Sequence, residues 1–133
     1  MYGYSSVSIN SGDTTGGSGA STNNNTSSHV VVGQICSIGV TYNGSPPSST
    51  DLVIATAGNN GPALTILTLT NANTSGWFHP RHVVDNNAGA DIEYADGYSV
   101  YDKVCVADNI KITVSQADDD DSVDVVVVYY AGS

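Results

Sequence analysis

Short stretches in which apolar side chains return at every second residue, cut apart by glycine, proline and asparagine, run through this chain and leave it little choice but a β fold. From Val30 to Tyr42 the even positions read Val30, Val32, Gln34, Cys36, Ile38, Val40 and Tyr42, with Gly33, Ser37, Gly39 and Thr41 between them. A period of two gives such a strand one buried face. The cluster Asn43, Gly44, Ser45, Pro46, Pro47 then closes it, because glycine admits positive φ and proline cannot extend a ladder. The segment from Asp51 to Thr56 repeats the pattern with Leu52 and Ile54 on one face, and turn residues from Gly58 to Pro62 end it. Leu64, Ile66, Leu67 and Leu69 change phase between Ile66 and Leu67, which predicts a β-bulge or a strand covered on both faces.

The C-terminal third alternates most cleanly. Ile110, Ile112 and Val114 interleave with Lys111 and Thr113, and after an acidic loop the run Val123 to Tyr130 returns as an almost unbroken apolar strand. This predicts a hairpin whose second strand is buried on both faces and so lies centrally in its sheet. Turn spacing gives about six to eight strands in all, within the range of antiparallel β-sandwich and jelly-roll domains.

Residues 1–28 differ from the rest. Ser, Gly, Asn and Thr dominate, and the part from Ser11 to Ser28 offers almost nothing to bury. They are expected to form a flexible N-terminal arm outside a sandwich domain of residues 29–133, with Tyr2, Tyr4, Val7 and Ile9 at its tip able to pair with a partner surface or to fray.

Only 12% of the residues are charged and the formal net charge is -10, with Arg81, Lys103 and Lys111 as the three cations. Phosphate backbones are bound by clustered Lys and Arg, so nucleic acid is not expected as a direct partner, nor is an anionic membrane. No stretch reaches the ~20 apolar residues of a membrane span, and the first residues lack a basic, then apolar, leader pattern, so synthesis in a cytoplasm is expected. Cys36 and Cys105 are too few for a disulfide scaffold or a cysteine zinc site. Their opposite phases relative to neighbouring apolar residues predict free thiols.

Chemistry has few places to reside. His79, Pro80, Arg81 and His82, with Asp85 nearby, hold two imidazoles and a carboxylate, yet a spacing of three sends the two rings to opposite faces of a strand. Asp118, Asp119, Asp120 and Asp121, followed by Asp124, could attract calcium, but the EF-hand spacing is absent and a solvated loop that discourages edge pairing is the simpler expectation. No nucleophile elbow, glycosidase carboxylate pair or phosphate loop is present in the sequence, so neither catalysis nor a cofactor is expected. Trp77 and Phe78, between Gly76 and Pro80, are expected to plug the core, with an exposed platform for a sugar or peptide as the alternative.

Three strings taken as a set carry a resemblance: GQICSIGVTYNGSPPSSTD from Gly33, LTILTLTNANTSGWFHPR ending at Arg81, and VADNIKITVSQADDDDSVDVVVVYY ending at Tyr130. In this order of strand and turn patterns the chain resembles small virion structural proteins of tailed bacteriophages, in particular capsid decoration or cement proteins. The resemblance spans roughly Val30 to Tyr130 and includes no catalytic motif. It implies an all-β, jelly-roll-like sandwich that assembles, often as a homotrimer, on the outer surface of the capsid and bridges subunits of the major capsid protein. Avidity of a trimer would make many weak contacts effectively permanent. Tyr2, Tyr4, Trp77, Phe78, Arg81, Tyr129 and Tyr130, of residue types enriched at interface hot spots, are the interface residues expected on this reading. A carbohydrate-binding module, or a tail, neck or fibre subunit, is the alternative.

Overall fold

Val7 and Ile9, Val31 and Ile35, Leu52 and Ile54, Val104 and Val106, Ile112 and Val114, and Val125 and Val127 are all buried, each pair on one side of its strand. Their strands lie in two layers that close on this shared core, where each buried aliphatic side chain contributes about 1.5–3 kcal/mol. The computed structural model describes residues 3–131. They form β1 (Tyr4–Asn10), β2 (Ser21–Thr26), β3 (Val31–Asn43), β4 (Asp51–Thr56), β5 (Thr65–Leu69), β6 (Gly76–Phe78), β7 (Arg81–Val83), β8 (Glu93–Ala95), β9 (Tyr98–Ser99), β10 (Tyr101–Asp108), β11 (Ile110–Ala117) and β12 (Ser122–Tyr130).

The first sheet has the order β1-β12-β3-β10-β7, with β6 also paired to β3, and the second has the order β2-β11-β4-β5. Every pairing is antiparallel. The partners nest: β1 with β12, β2 with β11, β3 with β10, β4 with β5. A long hairpin rolled so that successive pairs fall alternately in two sheets is the jelly roll, which makes this chain an antiparallel β-sandwich of that topology. Strands β6 to β9 are an excursion between β5 and β10, and β8 and β9 pair only with each other.

That topology corrects the expected C-terminal hairpin. β11 pairs with β2 and β4 while β12 pairs with β1 and β3, so the acidic loop crosses between sheets instead of turning back within one. β12 is central, as its apolar run suggests, but it is not buried on both faces. Val123, Val125 and Val127 face the core, Val126 and Val128 are half-buried on the outside, and Asp124 is exposed there.

Phase along β3 also departs from the even-numbered face. Val31 and Ile35 point inward, then Ile38 and Val40 do, because the register against β12 shifts between Val128, opposite Ser37, and Tyr129, opposite Ile35. Cys36 is the extra residue of this bulge. It is half-buried, Cys105 is exposed, and both are free thiols. The phase slip in the Leu64 to Leu69 run is a bulge as well: Ile54 faces Leu67 and Ala55 faces Thr65, which leaves Ile66 unpaired but buried.

The N-terminal stretch is not a loose arm. β1 pairs with β12 over its full length, from Tyr4 opposite Tyr130 to Asn10 opposite Asp124, and buries Val7 and Ile9. β2 pairs with β11 although it contains no apolar residue, its Thr22 hydroxyl donating to the Val114 carbonyl at 2.6 Å. Polar side chains suffice at this sheet edge because the backbone ladder, not burial, supplies the contacts. Between β1 and β2 the chain is fastened to the acidic loop. Gly19 N–H and the Ser18 hydroxyl donate to the Asp118 carboxylate at 2.7 and 3.0 Å. A carboxylate that would otherwise face water thus satisfies donors of a segment with no hydrophobic anchor.

Candidate binding face

With the inner face of the first sheet committed to the core, its outer face is defined by register. Trp77 on β6 lies opposite Gly39 on β3, Gly39 opposite Val126 on β12, and Val126 opposite Ser8 on β1. The next row outward consists of Thr41, Asp124 and Asn10. Trp77 is therefore not the expected core plug: it is 61% exposed, while its neighbour Phe78, in the opposite phase, turns inward against the core.

The indole rests on the sheet because Gly39 has no side chain. A β-carbon at Gly39 would stand 3.0 Å from Cη2 and Cζ3 of Trp77 and 3.2 Å from Cζ2, so the six-membered ring occupies that space. Glycine inside an alternating strand marks such a close approach. Beside the ring is a groove of about 320 Å³ lined by Thr41, Ser75, Gly76, Trp77, Asp124 and Val126. The Ser75 hydroxyl accepts the Tyr42 N–H at 3.0 Å, which fixes the turn that leads into β6.

Asp124 is the charged group of this face. Asn10 Nδ2 donates to its Oδ1 at 2.6 Å and Asn43 Nδ2 to its Oδ2 at 2.8 Å. These two amides hold its carboxyl below the usual carboxylate range against a small opposing effect of burial. Each oxygen keeps a lone pair for another donor. At the far end of the face Tyr4 and Tyr130 meet edge to face, their centroids 5.3 Å apart. Tyr130 and Trp77 thus lie on one surface, whereas Tyr129 is inward against the core and does not join them.

A second cluster crowns the excursion. Val84 N–H donates to the Val100 carbonyl, Val100 N–H to that of Ile92, and Ile92 N–H to that of Val84, at 2.9, 2.8 and 2.9 Å. This closed ring of backbone bonds holds the β8–β9 ribbon together where there is no core beneath it. The Tyr94 and Tyr98 rings lie 5.9 Å apart at an interplanar angle of 34°, and with Tyr101 they line an open groove of about 460 Å³. Tyr94 is 73% exposed. Asp85, Asp91, Glu93, Asp96 and Asp102, in the same part of the chain, are exposed.

The remaining candidate residues are not assembled into a site. His79, in the connection between β6 and β7, and His82, on β7, are both exposed, and His82 pairs with Asp102 through the backbone register only. The Arg81 guanidinium donates to the carbonyls of Pro80 and Cys36 at 2.8 and 3.3 Å, which ties the excursion to β3. Among the described residues no three His, Cys, Asp or Glu side chains come together as metal ligands. The acidic loop is only half solvated: Asp119 and Asp120 are exposed, but Asp121 is buried, its carboxylate accepting N–H groups of Ser45 and Asp118 at 3.2 and 3.0 Å. Tyr2 lies outside the described residues.

Asn10, Asn43 and the tyrosines Tyr94, Tyr98 and Tyr101 belong to no sequence motif. Two local signals point to the face around Trp77: Gly39 interrupts an apolar strand, and Asp124 interrupts a run of valines.

No family model matches this sequence, and no curated protein matches it. Two solved structures are similar to it. One, a crystal structure of FLHE, is 12% identical with a TM-score of 0.44, over 96% of this chain and 98% of that one. The other, a mutant of the family 29 carbohydrate binding module CBM29-2, is 12% identical with a TM-score of 0.42, over 98% of this chain and 84% of that one. At these scores neither likeness bears on what the chain does.

Proposed function

We propose that this chain is a non-catalytic structural protein that docks on a larger protein assembly, and that the assembly is a phage head whose outside it decorates as a homotrimer, bridging major capsid protein subunits. The observation that carries the reading is the excursion between β5 and β10. Ile92, Tyr94 and Tyr98 on it, and Tyr101 at the start of β10, are exposed, although the core has no need of them and water makes their exposure unfavourable. Tyrosine supplies large contact area at low entropic cost and is enriched in protein interfaces.

The five exposed carboxylates between residues 85 and 102 favour a partner surface that presents Lys or Arg, which can pair with acids and lie over tyrosine faces. Copies of this chain, at a net charge of -10, repel each other through the same ribbon, which favours attachment to a different protein there. The jelly-roll order of the strands is the architecture implied by the sequence resemblance to decoration proteins, and it supports the reading in that respect alone.

Sedimentation of purified protein with undecorated heads tests it. The expected result is saturable co-sedimentation that weakens as salt is raised, with extra density over capsomer junctions by electron microscopy. Protein that stays in the supernatant at all salt concentrations overturns the proposal, and density at the tail or neck would reassign the subunit within the particle.

A further inference from the structure

The outer face of the first sheet has a composition that docking through the ribbon does not use. We infer that it is a binding site for a neutral sugar, with one pyranose ring stacked on Trp77 and its hydroxyls directed to Asp124 and Thr41. This goes beyond the capsid reading and can be tested on the isolated chain.

Three features converge on that ligand. The six-membered ring of the indole fills the space that a β-carbon of Gly39 would take, and Trp77 is 61% exposed, so it presents to water an apolar plate of the size of a sugar ring. One strand over and two residues along from Gly39, about 7–8 Å on the diagonal of the sheet, Asp124 presents acceptors already fixed by Asn10 and Asn43, so little side-chain entropy is lost when a hydroxyl donates to it. The groove between plate and carboxylate is shallow and open at about 320 Å³, enough for a ring to lie in but not for a large apolar ligand to be enclosed.

The same geometry disfavours other ligands. Among the described residues no Lys or Arg lines the groove, and Asp124 together with the acidic surface repels uronates, sulfated glycans and phosphates. A peptide strand would seek an unpaired edge, but β3 at Gly39 is paired on both sides, by Val126 of β12 and Trp77 of β6. Only the face is available, and a face built of one flat ring flanked by amides, hydroxyls and a carboxylate matches a molecule with an apolar face and a polar rim.

Because Trp77 is the chain's single tryptophan, its emission reports this site alone. Titrations of the whole protein with cello-, manno-, xylo- and laminari-oligosaccharides, with polygalacturonate and with a mixed peptide library form the test, read by fluorescence and by calorimetry. The expected result is a saturable response to at least one neutral oligosaccharide and none to polygalacturonate. In calorimetry Trp77→Ala is expected to abolish binding, Asp124→Asn to weaken it about tenfold, and Gly39→Ala, whose methyl displaces the indole, to weaken it comparably, with circular dichroism unchanged for Trp77→Ala. Silence across all neutral oligosaccharides overturns the inference. So does binding that survives Trp77→Ala, or a response confined to the peptides, which would make the face a protein contact.

Discussion

Thr14 is bound twice to Asp121: its N–H donates to the Asp121 carbonyl at 2.7 Å, and its hydroxyl reaches the same oxygen at 3.0 Å and the Asp118 carbonyl at 2.6 Å. Thr14 is fully buried in a stretch with no apolar residue, so these bonds replace a hydrophobic anchor. Thr14→Val keeps the shape and removes the hydroxyl, leaving carbonyl acceptors without that donor. A loss of about 1–3 kcal/mol is expected, together with faster proteolysis between β1 and β2. Urea denaturation and limited proteolysis check this, and unchanged behaviour in both would mean that the segment is held by β1 and β2 alone.

Asp108 organises the opposite end of the sandwich. Its carboxylate accepts N–H groups of Gly58, Asn59, Asn60 and Asn109 at 2.8, 3.3, 3.3 and 2.7 Å, which fixes the loop between β4 and β5. Burial raises its pKa, but the backbone donors outweigh burial and hold it below the ordinary 3.8. A depressed carboxylate contributes stability that is complete above its unfolded value and disappears as pH falls through the folded one. Asp108→Asn is therefore expected to lower the urea midpoint at neutral pH, and the gap from the parent protein should close only below 3.8. A gap that persists undiminished well below that value would show that charge on Asp108 is immaterial.

Gly33 has φ of +147°, and a β-carbon there would collide with the Tyr130 carbonyl oxygen across the β3–β12 pair. Both the backbone angle and the space demand glycine. Gly33→Ala should cost several times the ~0.5 kcal/mol that bounds an ordinary surface substitution, because backbone rather than a flexible side chain must move. Thermal denaturation checks it, with Gly17→Ala, which meets nothing within 4 Å, as the reference.

How far the residues foretell this arrangement depends on which interactions do the holding. Strands that bury aliphatic side chains announce themselves, and the bulge at Ile66 follows from a phase slip that the chain spells out. β2 does not, because Ser21–Thr26 pairs through backbone and hydroxyl bonds that leave no hydrophobic period. The exchange of sheets between β11 and β12 is equally invisible: alternation fixes which face is buried, not which neighbour supplies the ladder. For the binding face, Trp77 is conspicuous by composition, but its exposure depends on β6 meeting β3 at Gly39, and Asp124 acquires its partners from strands more than 80 residues away in the chain.

Tyr42 carries the one buried side-chain polar atom among the described residues without a hydrogen-bond partner, its phenol oxygen. Burial, and then the negative charge of Asp51, raise its pKa above 10.0. Tyr42→Phe deletes an unsatisfied hydroxyl and retains the ring that packs on the core. Stability is expected to stay level or rise by about 1 kcal/mol, and a clear loss in urea denaturation would reveal a partner for that oxygen.

The ribbon beyond Val84 and Val100 can be removed without touching the sandwich. β8 and β9 pair only with each other, and Val84 N–H already bonds the Val100 carbonyl, so replacing residues 86–98 by Asn-Gly joins Asp85 to Ser99 through a two-residue hairpin turn. None of the buried core residues lies in the deleted stretch. Stability should therefore change by less than about 1 kcal/mol, or a few degrees in Tm, whereas co-sedimentation with heads should be lost because Ile92, Tyr94 and Tyr98 and the acids between them are gone. The response of Trp77 to neutral sugars should be untouched, since its floor at Gly39 and its neighbour Asp124 belong to β3 and β12. If the shortened chain unfolds, the excursion is part of the folding unit after all. If it folds and still sediments with heads, the docking surface lies elsewhere, and the tyrosines of the ribbon have lost their assigned role.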